Sequence, residues 1–206
     1  MHAEEVTQLN INIDEEARKL IESSGQYVTL AKKSDPYRGG FSLAWITFKP
    51  STQNTISWSE TYFLFQADAS SVSGGATLMP QWNETEAGSG SSSEFINGHF
   101  SPIAGGGDGY KMVNRNNRLE FYGLAQKAVL NGKTVGGPVN GFMLPPYSTL
   151  QLHPSEIVSI FLSSTAKNGT VIDGPPDDAL SVAPKSGSST FNIAFDKAKK
   201  VFKLQP

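Results

Sequence analysis

The stretch FSLAWITFKPSTQNTISWSETYFLF, residues 41–65, reads as two extended runs about a polar turn. Phe41, Leu43 and Trp45 fall on one side of the first run, because side chains alternate across a strand. KPSTQN then turns the chain, and apolar alternation resumes at Ile56. Two such runs about a short proline-containing loop predict an antiparallel hairpin with one tryptophan, Trp45 or Trp58, on each arm. The even positions of the second arm are Ile56, Trp58, Glu60, Tyr62 and Leu64. In an unbroken strand all five share a face, and four of them are large and apolar, so that face belongs in the core.

Glu60 is then a carboxylate set between Trp58 and Tyr62, and three readings fit it. Burial there raises its pKa, as suits a general acid or base. A β-bulge near Ser59–Thr61 turns it to solvent instead, and the aromatic odd positions Phe63 and Phe65 support such a shift. The third reading is a structural acid satisfied by an arginine or by backbone N–H groups.

The rest of the chain carries the same pattern. QYVTLAK, RLEFYGL, GFML, EIVSIFL, STFNIAF and KKVFKL are further strand candidates, separated by Gly, Ser, Asn and Pro turns. EIVSIFL is apolar on both faces, which marks a central strand; FNIAFD-KAK-KVFKL reads as a terminal hairpin whose lysines suit an edge. One helix is expected in NIDEEARKLIESSG, capped by Asn12 with Glu15 at N3 and Gly25 beyond its end. QLNINI alternates as a strand just before it. Residues 1–24 therefore read as an N-terminal extension with a short helix. Residues 83–94, NETEAGSGSSSE, read as a mobile surface loop. No repeat of fixed period is present. The expectation is an all-β single domain, 1–206, built as an antiparallel β-sandwich.

Composition agrees. The chain has 206 residues, 38% of them apolar, with 20 glycines and 17% charged residues, so its surface draws on Ser, Thr, Asn and Gly. A net charge of −2 supplies no basic field for nucleic acid. The absence of cysteine excludes disulfides, thiolate catalysis and cysteine-held metals. No apolar run approaches the ~20 residues of a membrane span. MHAEEVTQLN lacks a signal-peptide pattern, so the expected compartment is the cytoplasm, or the outside with a signal already removed. Asn83-Glu-Thr and Asn168-Gly-Thr match the glycosylation pattern, which matters only in a secretory pathway.

The hairpin stretch also resembles the RhiA-like family, named for a rhizosphere-expressed bacterial protein. The resemblance lies in Ser42, Leu43, Ala44 and Trp45, then Trp58, Tyr62, Phe63 and Phe65, and again in STLQLHPSEIVSIFLSSTAKNGTVID. It covers about half the chain, departs between residues 66 and 140, and lacks an aromatic near Ile157 or Val158. Its motif is made of core aromatics, so it implies a fold and brings no catalytic residue with it.

For function, the leading expectation is non-catalytic binding of a small molecule or glycan in a loop-lined cleft. Trp58, Trp82, Tyr110 and Tyr122 are its candidate ligand-binding residues. The alternative is an enzyme without a cofactor (an isomerase, cyclase or lyase) acting on an apolar metabolite. Its candidate catalytic residues are Glu60, Tyr62 and His99, the last lying between an Asn-Gly turn and a glycine cluster. A self-assembling, homo-oligomeric interaction protein is the third class. No pair among His2, His99 and His153 has metal-ligand spacing, so no metal and no cofactor are expected. AGGGDGYK could form an anion-binding nest but reads better as a flexible turn, and the acids of VIDGPPDDAL read as solvated turn residues. Lys111, Arg115 and Arg118 beside Tyr110, Phe121 and Tyr122 read as a polar hairpin turn.

Overall fold

In the computed structural model, residues 5–33, 40–78, 81–104, 109–185 and 187–205 are described, the side chains of 81–85 excepted. The chain is 56% strand and 7% helix, an all-β fold with one α-helix among the described residues. In order, its elements are β1 (Val6–Asn12), α1 (Glu15–Ser23), β2 (Tyr27–Lys32), β3 (Phe41–Phe48), β4 (Gln53–Ser59) and β5 (Tyr62–Asp68). Then follow β6 (Gln81–Ala87), β7 (Ser92–Ile96), β8 (His99–Pro102), β9 (Tyr110–Asn114), β10 (Glu120–Leu130) and β11 (Lys133–Leu144). The last six are β12 (Thr149–Leu152), β13 (Val158–Ser163), β14 (Val171–Ile172), β15 (Leu180–Val182), β16 (Ser189–Asp196) and β17 (Val201–Leu204).

The large sheet runs β15-β13-β2-β3-β11-β10-β4-β1-β16-β17, with β14 on β3 and β5 on β10, and β6 outside β5. Its two ends approach each other, because β17 contacts β13 and β15. A four-stranded sheet, β12-β9-β7-β8, packs on it. One core cluster takes Phe95, Tyr110, Met112 and Leu152 from the small sheet together with Leu9, Trp45, Trp58 and Ile160 from the large one. The strands are not all antiparallel: β1 lies parallel to β16, and β7 to β9.

The expected hairpin of residues 41–65 does not form. Between β3 and β4 stands the hairpin of β10 and β11, whose turn Asn131–Gly132 has φ 49° and 79°, the left-handed pair a tight two-residue turn demands. Asn131 fastens that tip to β4: its N–H donates to Thr55 O at 2.9 Å, and its Oδ1 accepts from Thr55 N–H at 2.8 Å. Trp45 and Trp58 meet across the core, edge to face, with ring centroids 5.2 Å apart.

The bend at Glu60 also differs in kind from a simple bulge. Ser57 pairs with Val129, and Tyr62 with Gln126, so four residues (58–61) oppose two (127 and 128). An even excess leaves the faces unchanged, whereas one extra residue would exchange them. Trp58 and Tyr62 therefore both enter the main core while Glu60 is exposed on the bend. Gln126 holds the bend from inside, donating through Nε2 to Ser59 O at 2.7 Å. Phe63 and Phe65 reflect a second core rather than a shifted register: with Leu43, Phe121, Leu78 and Val171 they bury the other face of the sheet.

Three further expectations change. Residues 5–24 are no extension, since β1 lies between β4 and β16 with Leu9 and Ile11 fully buried. The helix is capped by Asp14, whose carboxylate accepts from Ala17 N–H at 2.7 Å; Asn12 still belongs to β1. NETEAGSGSSSE is mostly not loop, because β6 pairs with β5 and β7 begins at Ser92. An edge strand can be this polar because its backbone hydrogen bonds, rather than its side chains, hold it in the sheet. EIVSIFL does become β13, paired on both sides, and KKVFKL does become the terminal edge.

Gly123 and Gly141 face each other across β10 and β11. A Cβ on Gly123 would lie 2.0 Å from Asn140 O, and one on Gly141 would lie 2.2 Å from the buried Phe121 ring. Gly123→Ala is expected to cost at least about 2 kcal/mol in denaturant unfolding. Gly88→Ala, where a Cβ meets nothing within 4 Å, is expected to stay within about 0.5 kcal/mol of the parent.

Candidate functional site

Two polar gatherings flank β2 and β13, apart from the buried Glu120 carboxylate, which accepts from Arg118, Asn116 and Gln66. The first is inside. Lys32, the last residue of β2, is 2% exposed, and its ammonium donates to Tyr62 Oη at 2.8 Å and to Glu156 Oε2 at 2.7 Å. Tyr62 in turn donates to Glu156 Oε1, which closes a triangle. Around the ammonium stand the rings of Tyr62, Trp45 and Trp58, with centroids 5.1, 5.4 and 5.8 Å away. Burial pushes the Lys32 pKa down, and the Glu156 carboxylate opposes that. The Tyr62 hydroxyl is pushed up by burial and then by Glu156. Glu156 precedes β13 on an irregular segment and keeps 22% of its side chain exposed, so it is the side of the triangle nearest solvent.

The expected site residues divide around this triangle. Glu60 is exposed on its bend, yet it feels Lys32; its pKa is raised by partial desolvation, then by Glu156 and Glu5. Tyr62 is a member of the triangle. Tyr110 packs edge-on against Tyr62 at 5.7 Å and is buried. Tyr122 is fully buried and donates to Asn114 Oδ1 at 3.3 Å, so its ring fills the core instead of facing a groove. Trp58 is 3% exposed, and its indole N–H has no partner among the described residues. His99 is exposed on β8, the edge of the small sheet, and joins none of these contacts among the described residues. The side chain of Trp82 and residues 105–108 of AGGGDGYK lie outside the described residues.

Sequence reading missed Lys32 and Glu156. The signal for Lys32 was present: Val28, Leu30 and Lys32 share a parity, as Trp58 and Glu60 do. Among the described residues, no group of three His, Asp or Glu is placed to hold a metal ion, and no helix is long and apolar enough to cross a membrane.

The second place is a groove of about 530 Å³ over the outer face of β13 and β15. Its floor is a hydroxyl pair, Ser159 (5% exposed) and Ser181, 3.0 Å apart. Asp173, Pro175, Pro176 and Asp177 of the VIDGPPDDAL loop form one lip, and Lys33 and Ser42 stand on the lining as well. Two hydroxyls carry two protons, and their mutual bond uses one. The pair thus keeps a donor and open acceptor positions for a ligand. Among the described residues neither Asp173 nor Asp177 is tied into an ion pair.

The interior triangle predicts its own energetics. Glu156→Gln leaves the Lys32 ammonium among aromatic rings without a countercharge and should cost about 3 kcal/mol. That loss should shrink as pH rises toward the ordinary lysine value of 10.5, because the folded form sheds the proton before the unfolded form does. Lys32→Met combined with Glu156→Gln should recover most of the loss, which a double-mutant cycle in urea would measure. At Glu60 the sign is opposite: a folded pKa above 4.5 means stability falls as pH rises through that window. Glu60→Gln should therefore raise Tm by about 2 °C at pH 7 and leave it unchanged at pH 4, read by calorimetry.

No protein-family model, no curated protein and no solved structure matches the chain.

Proposed function

We propose that the protein binds a small polyhydroxylated molecule or glycan unit, without catalysis, in the groove over β13 and β15. The observation that carries this reading is the hydroxyl pair of buried Ser159 and exposed Ser181 on the floor of a groove of about 530 Å³. That volume falls in the range of small-molecule sites, about 300–1,000 Å³. Free carboxylates and serine hydroxyls accept and donate to vicinal hydroxyls, while Ile157, Pro175 and Pro176 offer apolar surface to the carbon face of a sugar ring. One lysine against two aspartates leaves no strong field for an anion.

The cofactor-independent enzyme is supported by the perturbed Lys32 and Glu60, since such groups collect at catalytic sites. A substrate would have to reach Tyr62 and Lys32, which are 1% and 2% exposed, so the groove is the better supported site. Self-assembly has less behind it. The large exposed apolar side chains among the described residues, such as Leu20, Ile96, Val129 and Leu204, are spread over α1, β7, β10 and β17. The aromatics of the RhiA-like resemblance, Trp45, Trp58, Tyr62, Phe63 and Phe65, are all buried, so that part of it bears on the fold and names no ligand.

The test is an amide NMR titration of the protein with neutral monosaccharides and polyols. Shifts should concentrate on β13, β15 and residues 173–181. Ser159→Ala, which removes the hydroxyl without adding bulk, should weaken binding about tenfold, the worth of one hydrogen bond. Asp177→Asn should weaken it by a similar factor. Absence of shifts, or shifts confined to the surroundings of Tyr110, would overturn the reading.

A further inference from the structure

The groove does not end at its own rim. Pro176, part of its lip, is also a wall of a second cavity of about 200 Å³, which opens where the two ends of the large sheet approach each other. β13 and the residue before it support both cavities in sequence: Ile157 and Ser159 line the first, then Ile160, Phe161 and Leu162 the second. At about 3.3 Å per residue, Ile157 to Leu162 spans roughly 17 Å, longer than a single sugar ring requires.

The second cavity repeats the chemistry of the first. Its polar groups are Gln26, Asp178 and Lys200; its apolar surface includes Phe161, Val201 and Phe202. Ser24 Oγ, whose one proton is shared between Ile21 O at 2.8 Å and Gln26 Oε1 at 3.0 Å, engages only the amide oxygen and leaves the Gln26 NH₂ to donate elsewhere. Lys200 is held at φ 57° in the turn before β17, an uncommon setting for a lysine. Among the described residues neither Lys200 nor Asp178 has an ion-pair partner. Each cavity thus presents both signs of charge, together with hydroxyl or amide groups and an apolar wall. Such repetition suits a ligand made of repeated neutral units.

We infer that the ligand is an oligosaccharide of at least two neutral units, laid along β13 past Pro176, with its second unit held by Gln26 and Lys200. This rests on the binding function proposed above and adds its chain length and direction. The first unit contacts Ser159, Ser181 and Asp177, and the next contacts the cleft between β13 and β17.

The experiment is a calorimetric ladder. Glucose, galactose, mannose and xylose, and the β-linked di- and trisaccharides of each, are titrated into the parent protein and into the Gln26→Ala, Lys200→Gly and Ser159→Ala variants. Glycine at 200 accepts the positive φ, and circular dichroism checks that each variant folds. In at least one series the trisaccharide should bind at least tenfold more tightly than its monosaccharide. Gln26→Ala and Lys200→Gly should each remove about fivefold of that gain and leave the monosaccharide unchanged, while Ser159→Ala weakens both. Equal affinity for mono- and trisaccharide, or a trisaccharide affinity indifferent to both Gln26→Ala and Lys200→Gly, overturns the two-cavity inference and leaves the groove reading standing. Absence of binding in every series overturns both.

Discussion

A lysine ammonium cannot be placed between two indoles and a phenol unless something charged and something hydrogen-bonding come with it. Desolvating that charge costs several kcal/mol even after relaxation, and only close, well-directed partners offset the cost. In this protein the partners come from separate parts of the chain. Lys32 ends β2, Trp45 is on β3, Trp58 on β4, Tyr62 begins β5, and Glu156 stands before β13. Five segments therefore have to arrive together, and each arrival fixes a register. β2 cannot slip by one residue without turning Lys32 outward, and β5 cannot slip without withdrawing Tyr62. The interior polar triangle explains why the bend at residues 58–61 contains an even excess of residues. An odd excess would have turned Tyr62 to the other face, leaving Lys32 with Glu156 alone.

The fold class was legible in the sequence because period-two alternation was dense, and so were the terminal edge β17 and the doubly paired β13. Pairing was not legible. Residues 41–65 alternate in the same way whether their two arms bond to each other or to a hairpin inserted between them. What decides is a distant feature: the Asn131–Gly132 turn and its reciprocal bonds to Thr55. No local count could include it. The parallel pairing of β1 with β16 escaped for the same reason, since it joins the two ends of the chain. The odd-face aromatics Phe63 and Phe65 were visible, but their meaning required the second core around Phe121 and Val171, which comes from residues far along the chain.

The candidate sites were legible to a different degree. Counting parity drew attention to Glu60, one of the groups around the triangle, and named Tyr62, one of its members. It overlooked Lys32, because a lysine at a strand end is ordinarily a solvated edge residue. Glu156 lies in HPSEIV without periodicity of its own, so nothing in the sequence could assign its direction. The groove was harder still. Asp173 and Asp177 were noticed as turn acids, but Ser159 and Ser181 are ordinary strand serines until pairing of β13 with β15 sets them opposite each other. Aromatic residues, the usual guide to a sugar platform, led instead to Tyr110 and Tyr122, which the core claims.

The triangle and the groove meet where the end of β2 lies beside the segment leading into β13, and this ties them together. Along β2 the core takes Lys32 and the groove takes its neighbour Lys33; on the facing segment the core takes Glu156 and Val158 while the groove takes Ile157 and Ser159. Lys33 N–H donates to Ile157 O at 3.0 Å, so the backbone between the two faces is itself bonded. A binding floor loses less on association when its side chains are already immobile. Ser159 is one residue beyond Val158 and three beyond Glu156, on backbone that the buried ammonium holds in place from behind. The costly charge in the interior thus has a second consequence beyond setting registers: it stiffens the strand on which the hydroxyl floor is built. On the proposed binding reading, a floor held from behind would let affinity grow with each added contact along β13 rather than be lost to reordering of the protein.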